Sequence, residues 1–199
     1  SVLLLPESMA PVASEHGLAI QPTTTFDDAP RLDVICVPGG IGVNAMMENE
    51  TLLSFLSNAA RDAQYVTSVC TGALLLGAAG LLRGYRATTH WLSLDLLSLF
   101  GAIPVSERVV IDRNRITGGG VTAGLDFGLA VVAKLCGREI AQEIQLMLEY
   151  DPAPPFSSGS PATAPETIVR RVENARRNIQ EARRAIARRA SARWGNASN

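Results

Sequence analysis

What the chain lacks narrows its class first. Across 199 residues there is no apolar run of the roughly 18–20 residues that span a bilayer, and the longest candidate, around Leu74 to Leu82, is broken by Gly77 and Gly80. Membrane insertion is therefore not expected. Cysteine is sparse: Cys36, Cys70 and Cys136 are the three in the chain, at no paired or metal-ligand spacing. An odd count without a secretory segment fits a reducing compartment, so the chain is read as cytoplasmic, with no metal site. A formal net charge of −1 gives no global pull toward nucleic acid or a membrane surface, and no DNA-binding motif accompanies the basic residues. There is no initiating methionine.

What is present is enough for one core: 47% of the residues are hydrophobic and 19% charged, which predicts one domain plus an appendage. The charge is unevenly spread. Nine arginines between Arg170 and Arg193, set against Glu166, Glu173 and Glu181, leave that segment at +6 and the remainder at −7. Within it Ile168, Val172, Ala175, Ile179, Ala182 and Ile186 recur four and three residues apart, an apolar stripe along one long amphipathic helix. The expectation is a helix docked on its own body or on a second subunit, arginines solvated, with nucleic acid not its partner. The stretch Asp151-Pro-Ala-Pro-Pro-Phe156, followed by Pro161, cannot be regular helix or central strand and reads as an extended connector. The division is then 1–150 for the α/β domain, 151–165 for the connector and 166–199 for the arginine-rich helix and tail.

Within the first segment, residues 1–5, 32–37, 65–69, 108–111 and 115–117 carry strand patterns. Residues 48–60, 71–82, 91–100, 122–136 and 138–149 carry helical ones. Strands alternating with helices imply a mostly parallel sheet covered on both faces, with ligands bound beyond the carboxyl ends of the strands. The turns Pro38-Gly39-Gly40, Cys70-Thr71-Gly72 and Gly118-Gly119-Gly120 each follow a strand and should converge on one crevice.

Cys70 stands out by position. It ends an apolar strand and precedes a helix beginning Thr71-Gly72-Ala73-Leu74, which places the sulfur at a sharp strand-to-helix turn. Amides and the positive dipole end of a helix favour thiolate over thiol there, and Gly72 permits the tight turn of a nucleophile elbow. Cys36, mid-strand, and Cys136, at the end of an apolar helix face, are assigned to packing. Preorganised N–H donors from Thr71 and Gly40 would form an oxyanion site if their loops meet. His90, in Arg86-Ala-Thr-Thr-His-Trp91, has two readings of equal weight: a general base, or a structural histidine capping the helix that follows, with Thr88 and Thr89 as neighbours. His16 carries no signal.

Several strings together resemble a known family. They are Val34-Ile-Cys-Val-Pro-Gly-Gly40, Tyr65-Val-Thr-Ser-Val-Cys-Thr-Gly72, Leu76-Gly-Ala-Ala-Gly-Leu-Leu82, Arg86-Ala-Thr-Thr-His-Trp91, Thr117-Gly-Gly-Gly-Val-Thr-Ala-Gly124 and Asp151-Pro-Ala-Pro-Pro-Phe156. Over essentially the whole chain they resemble the isocyanide hydratase branch of the ThiJ/PfpI superfamily. The elbow and Ala-Thr-Thr-His-Trp strings are shared with ThiJ/PfpI domains fused to AraC-type transcription regulators, and the proline-rich connector favours the hydratase. The resemblance implies a flavodoxin-like three-layer α/β sandwich, a homodimer, and hydration of an isocyanide to an N-substituted formamide without cofactor. It implies Cys70 as nucleophile, Thr71 hydrogen-bonding within the site, and backbone at Gly40, Gly119 and Val121 holding the thiolate or oxyanion. It also moves His90 toward the structural role.

The family's acidic residue, which follows its first strand and pairs with the cysteine, has no counterpart, because Ser1 aligns with the family's second strand. The chain is accordingly expected to be an N-terminally incomplete piece of the enzyme, inactive by itself, with the acid upstream of Ser1. Glu15 and Asp126 are the substitutes the chain offers, and neither context recommends it. Two other functions stay open: another cysteine-dependent ThiJ/PfpI activity on small carbonyl or amide compounds, and a ligand-sensing domain. The latter would come with a helix-turn-helix domain, which this chain lacks.

Overall fold

The computed structural model describes residues 1–14 and 17–195, so Glu15, His16 and residues 196–199 lie outside the described residues. The chain opens with a small antiparallel hairpin, β1 (Val12–Ala13) with β2 (Ala19–Ile20). β3 (Val34–Val37) follows, then a short helix α1 (Val43–Met46) and α2 (Glu50–Ala59). β4 (Tyr65–Val69) leads directly into α3 (Gly72–Ala78). Next come β5 (Arg86–Ala87), a 3₁₀ helix over Trp91–Phe100, and β6 (Ile103–Pro104), which pairs with β5. β7 (Val109–Asp112) and β8 (Arg115–Gly118) form a hairpin, and α4 (Ala123–Cys136), α5 (Arg138–Met147) and α6 (Glu166–Gly195) complete the chain.

The main sheet has four strands in the order β3-β4-β8-β7. β3, β4 and β8 run parallel, in a register that sets Ser68 opposite Val37 on one side and Thr117 on the other; β7 closes the edge antiparallel. The α/β fold with a mostly parallel sheet and a C-terminal helix is thus as the sequence suggests. Its parallel strands are rich in Val, Ile and Thr, which suit a sheet covered by helices. Thr67, fully buried, satisfies its hydroxyl by donating to the Ile35 carbonyl at 2.8 Å. Ser68, equally buried, has no hydrogen-bond partner for its Oγ among the described residues.

The core lies around α3. Leu74, Leu76, Leu82, Leu96, Leu97 and Phe100 are all essentially inaccessible, each contributing about 1.5–3 kcal/mol by leaving water. A Cβ at Gly77 would sit 2.7 Å from the Phe100 ring, so glycine there lets the ring close on the helix. α3 ends earlier than the apolar run predicts. Gly80, at φ 77°, turns the chain left-handed, while the Gly80 N–H donates to Gly77 O and the Leu81 N–H to Leu76 O, each at 2.9 Å. That pair of bonds is a Schellman closure. Asn49 starts α2 by accepting from the Leu52 N–H at 2.8 Å.

Further expectations need correction. Residues 1–5 form no strand; Leu4 is instead held by Thr23, whose N–H donates to the Leu4 carbonyl at 3.0 Å. Residues 91–100 wind as 3₁₀ rather than α-helix. Cys36 and Cys136 are exposed rather than tightly packed, although desolvation still pushes the Cys36 thiol up. In the tail, the stripe marks the wrong face over part of its length. Ile168, Val172, Ala175 and Ala182 are exposed, while Ile179, Arg183, Ile186, Ala187 and Ala190 turn inward against the body.

Nor are all the arginines of α6 merely solvated. Arg184 pairs with Asp95 at 2.6 Å, Arg189 grips both oxygens of Glu48 at 2.9 and 2.8 Å, and Arg193 pairs with Glu50 at 2.6 Å. The alanines at 187 and 190 let the helix backbone approach closely, and the ion pairs fix its register along the body.

Two outcomes follow from this packing. The Arg189 guanidinium holds the Glu48 carboxyl below its ordinary range, so the contribution of the pair is present above the unfolded carboxylate value and is lost as pH falls through the lower folded one. The protection of α6 amides, measured as exchange relative to the intrinsic rate, should therefore fall below about pH 4, and by less in high salt, which already screens the pair. Replacing Ser68 by Ala should raise stability by about 1 kcal/mol, because it removes a buried hydroxyl left unpaired; a thermal melt reads the change.

Candidate active site around Cys70

Cys70 joins β4 to α3 with φ 56°, a left-handed conformation that a non-glycine residue holds only when its surroundings impose it. Here three hydrogen bonds do so. The Cys70 N–H donates to the carbonyls of Gly118 and Gly119 at 3.0 and 2.8 Å, and its own carbonyl accepts from the Thr89 hydroxyl at 2.7 Å. The half-buried residue is thereby fixed by the loop after β8 and by the segment that precedes the 3₁₀ helix.

The loop after β3 meets the same turn. Thr71 opens α3 but does not cap it with its side chain; its buried hydroxyl accepts from the Gly40 N–H at 3.1 Å and lies 3.3 Å from the Gly40 carbonyl. The contact requires glycine on both sides. A Cβ at Gly39 would fall 2.8 Å from Cys70 Cβ and 2.7 Å from Thr71 N, and one at Gly72 would fall 2.1 Å from the Val37 carbonyl oxygen. The three glycine-rich turns therefore do converge.

The backbone donors named from the sequence are placed differently from one another. The Gly40 amide is directed at Thr71, and the Gly119 amide donates to the Arg108 carbonyl at 2.9 Å, so Gly119 meets Cys70 through its carbonyl instead. Val121 stands at the start of α4, 80% exposed, its carbonyl accepting from the Gly124 N–H at 3.2 Å.

His90 caps the 3₁₀ helix: its Nδ1 accepts from the Leu92 N–H at 3.3 Å, and its ring lies against the glycine loop, where a Cβ at Gly120 would be 3.4 Å from Cδ2. Burial lowers the His90 pKa, and the charges of Arg183 and Arg176 lower it further. The ring is neutral at pH 7, with its proton on Nε2, in keeping with the structural of its two readings. Asp126 is engaged by the Arg108 Nε–H and by the Tyr150 hydroxyl at 3.2 Å. Among the described residues no three His, Cys, Asp or Glu side chains group as a metal site, and no helix is long and apolar enough to cross a membrane.

Sequence reasoning missed Thr89 as the hydroxyl that holds the Cys70 carbonyl, and it missed Arg183. Arg183 is buried, donating from Nε to Asn44 Oδ1 at 2.8 Å and from NH1 to Ser93 Oγ at 3.1 Å. Two clefts on the surface, one bordered by Phe26, Phe55 and Asp62 and the other by Ile111, Leu129 and Gln145, lie away from Cys70.

A family model, the DJ-1/PfpI family, matches residues 2–134. The chain belongs to the DJ-1/PfpI family. Among DJ-1/PfpI relatives it is 60% identical over 168 residues to an isonitrile hydratase from Pseudomonas putida, an alignment covering 84% of this chain and 74% of that protein. It is 37% identical over 142 residues to the HTH-type transcriptional regulator GbdR of Pseudomonas aeruginosa, covering 70% of this chain but 38% of the regulator. The crystal structure of a ThiJ/PfpI family protein from Pseudomonas syringae superposes with a TM-score of 0.91 at 48% identity, covering 94% of this chain and 78% of that one. The resemblance read from the motifs is borne out.

For this DJ-1/PfpI elbow the fit of Gly72 is the sharpest steric constraint. Gly72→Ala should destabilise the protein by about 1–3 kcal/mol, since backbone rather than a flexible side chain must yield; chemical denaturation measures it.

Proposed function

We propose that the chain carries the site of an isonitrile hydratase-type lyase, which converts R–N≡C to an N-substituted formamide through the Cys70 thiolate. The observation that carries this reading is the 60% identity to the P. putida isonitrile hydratase, within an alignment spanning 84% of this chain. The elbow supports it, since Cys70 is held in a conformation that its neighbours over-determine.

In this scheme the thiolate attacks the terminal isocyanide carbon and forms a C–S bond. A proton adds to that carbon to give a thioimidate, water adds to the same carbon, and the C–S bond breaks to release the formamide and the thiol. Thr71, which already binds the Gly40 loop, orients the turn, and the backbone around Gly40, Gly119 and Val121 frames the reacting sulfur. His90 keeps its capping role. No cofactor enters, and the proton donor is a separate acid, because Asp126 is committed to Arg108 and Tyr150. A cytoplasmic homodimer belongs to the same reading, supported by apolar side chains at Leu146 and Met147, which are 83% and 77% exposed.

The identity to GbdR favours one second reading, a ligand-sensing domain in which Cys70 does not turn over. The two separate on treatment with cyclohexyl isocyanide. The hydratase reading expects a covalent adduct on Cys70 by mass spectrometry and formamide in solution, both lost in Cys70→Ala. An adduct without formamide, already protonated on carbon, would place the block at the addition of water and the release of the thiol, and would favour the sensing reading. Neither product, from protein whose Cys70 still alkylates, would overturn the reading.

A further inference from the structure

One residue grips both ends of the glycine loop that meets Cys70. The Arg108 carbonyl, just ahead of β7, accepts from the Gly119 N–H at 2.9 Å, and the carbonyl of the same Gly119 accepts from the Cys70 N–H at 2.8 Å. Past the loop, the Arg108 side chain reaches the solvent side of α4, where NH2 donates to Thr122 Oγ1 at 3.2 Å and Nε–H donates to the Asp126 carboxylate. The Tyr150 hydroxyl donates to the same carboxylate oxygen at 3.2 Å, which ties in the chain that follows α5.

The loop itself has little with which to hold its shape. Gly119 and Gly120 carry no side chains, and the side chain of Val121 stands in water. Ala123 and Phe127 seat the buried face of α4, with a Cβ at Gly118 only 3.1 Å from Phe127 Cβ, but Thr122 is exposed. Consecutive glycines resist a change of backbone angle less than other residues do. The span from Gly119 to Thr122 is therefore set by what grips its two ends, and Arg108 grips both.

We propose that Arg108 is a positioning residue for Cys70: by bracketing residues 119–122 between its carbonyl and its guanidinium, it keeps the Gly119 carbonyl on the Cys70 N–H and so maintains the left-handed turn that presents the sulfur. That this sulfur is the reacting group rests on the proposed reaction, whereas the bracket does not. Asp126 takes its part here, as the carboxylate that holds the guanidinium over the first turn of α4. A nearby pair offers a comparison, since Arg86 on β5 meets Glu107 at 3.2 Å with similar exposure but outside the bracket.

Hydrogen exchange of single backbone amides, followed by NMR on the isotope-labelled full chain at one fixed pH, reads the bracket directly. It needs no isocyanide turnover, so its failure is distinct from failure of the hydratase reading. In Arg108→Met the Cys70 amide should exchange about fivefold faster than in the parent, the upper range for a partly exposed ion pair. The Val66 amide, earlier on β4 and donating to the Asn114 carbonyl at 3.0 Å, should keep its parent rate. Asp126→Asn attacks the same contact from α4 and should quicken Cys70 in the same way. The double variant should exchange no faster than the faster of the two singles, since both remove one interaction. Arg108→Lys, which restores a charge beside Asp126 without the fork that also reaches Thr122, should fall between parent and Arg108→Met. Arg86→Met should match the parent. Three results overturn the proposal: an unchanged Cys70 rate in Arg108→Met, Cys70 and Val66 quickening together, or effects of the two substitutions that add.

Discussion

The left-handed backbone of Cys70 is the constraint on which the rest of the site depends. A cysteine pays for φ 56° with local strain, and the strain persists only because Gly118, Gly119 and Thr89 take up its amide and carbonyl. Those three residues belong to two different connections, after β8 and before the 3₁₀ helix. The third connection, after β3, is drawn in by Thr71 and by the absence of side chains at Gly39 and Gly72. The sulfur therefore sits where three loops fix one another rather than on any one of them. Such over-determination suits a nucleophile, whose attack angle has to be set before the substrate arrives.

Much of this was legible because it is local. A strand ending in Cys-Thr-Gly and two further strands ending in glycine runs specify turns from short stretches of chain, and the parallel order follows from alternating strands and helices. The family relation was legible for the same reason, since the matching strings are these turns. What escaped the sequence depends on contacts between distant residues. The contact of Asn44 with Arg183 joins positions 139 apart, and no spacing signals it. The docked face of α6 was misread because a periodic stripe cannot weigh Ala187 and Ala190, small and weakly apolar, above Ile168 and Val172, although close approach favours the former. The 3₁₀ winding of residues 91–100 shares its apolar periodicity with an α-helix, and Leu4 needed Thr23 before its extended path had a partner.

α6 also changes how the arginine-rich segment is understood. A net +6 concentrated in one stretch reads as a solvated face, yet the body that receives it is the acidic remainder of the same chain, and three of the arginines meet its carboxylates directly. Part of the charge imbalance is thereby met inside the molecule, and Arg183, the interior arginine of the helix, is bonded to Asn44 and Ser93.

The position of β3 has a further consequence for handling the protein. It is a terminal strand of the main sheet, with one row of amides and carbonyls not engaged in that sheet and with Cys36 exposed along it. Two molecules that meet edge to edge can extend the ladder across both and bring a pair of thiols into range of each other. Reductant and dilution would then govern its colloidal behaviour through that edge.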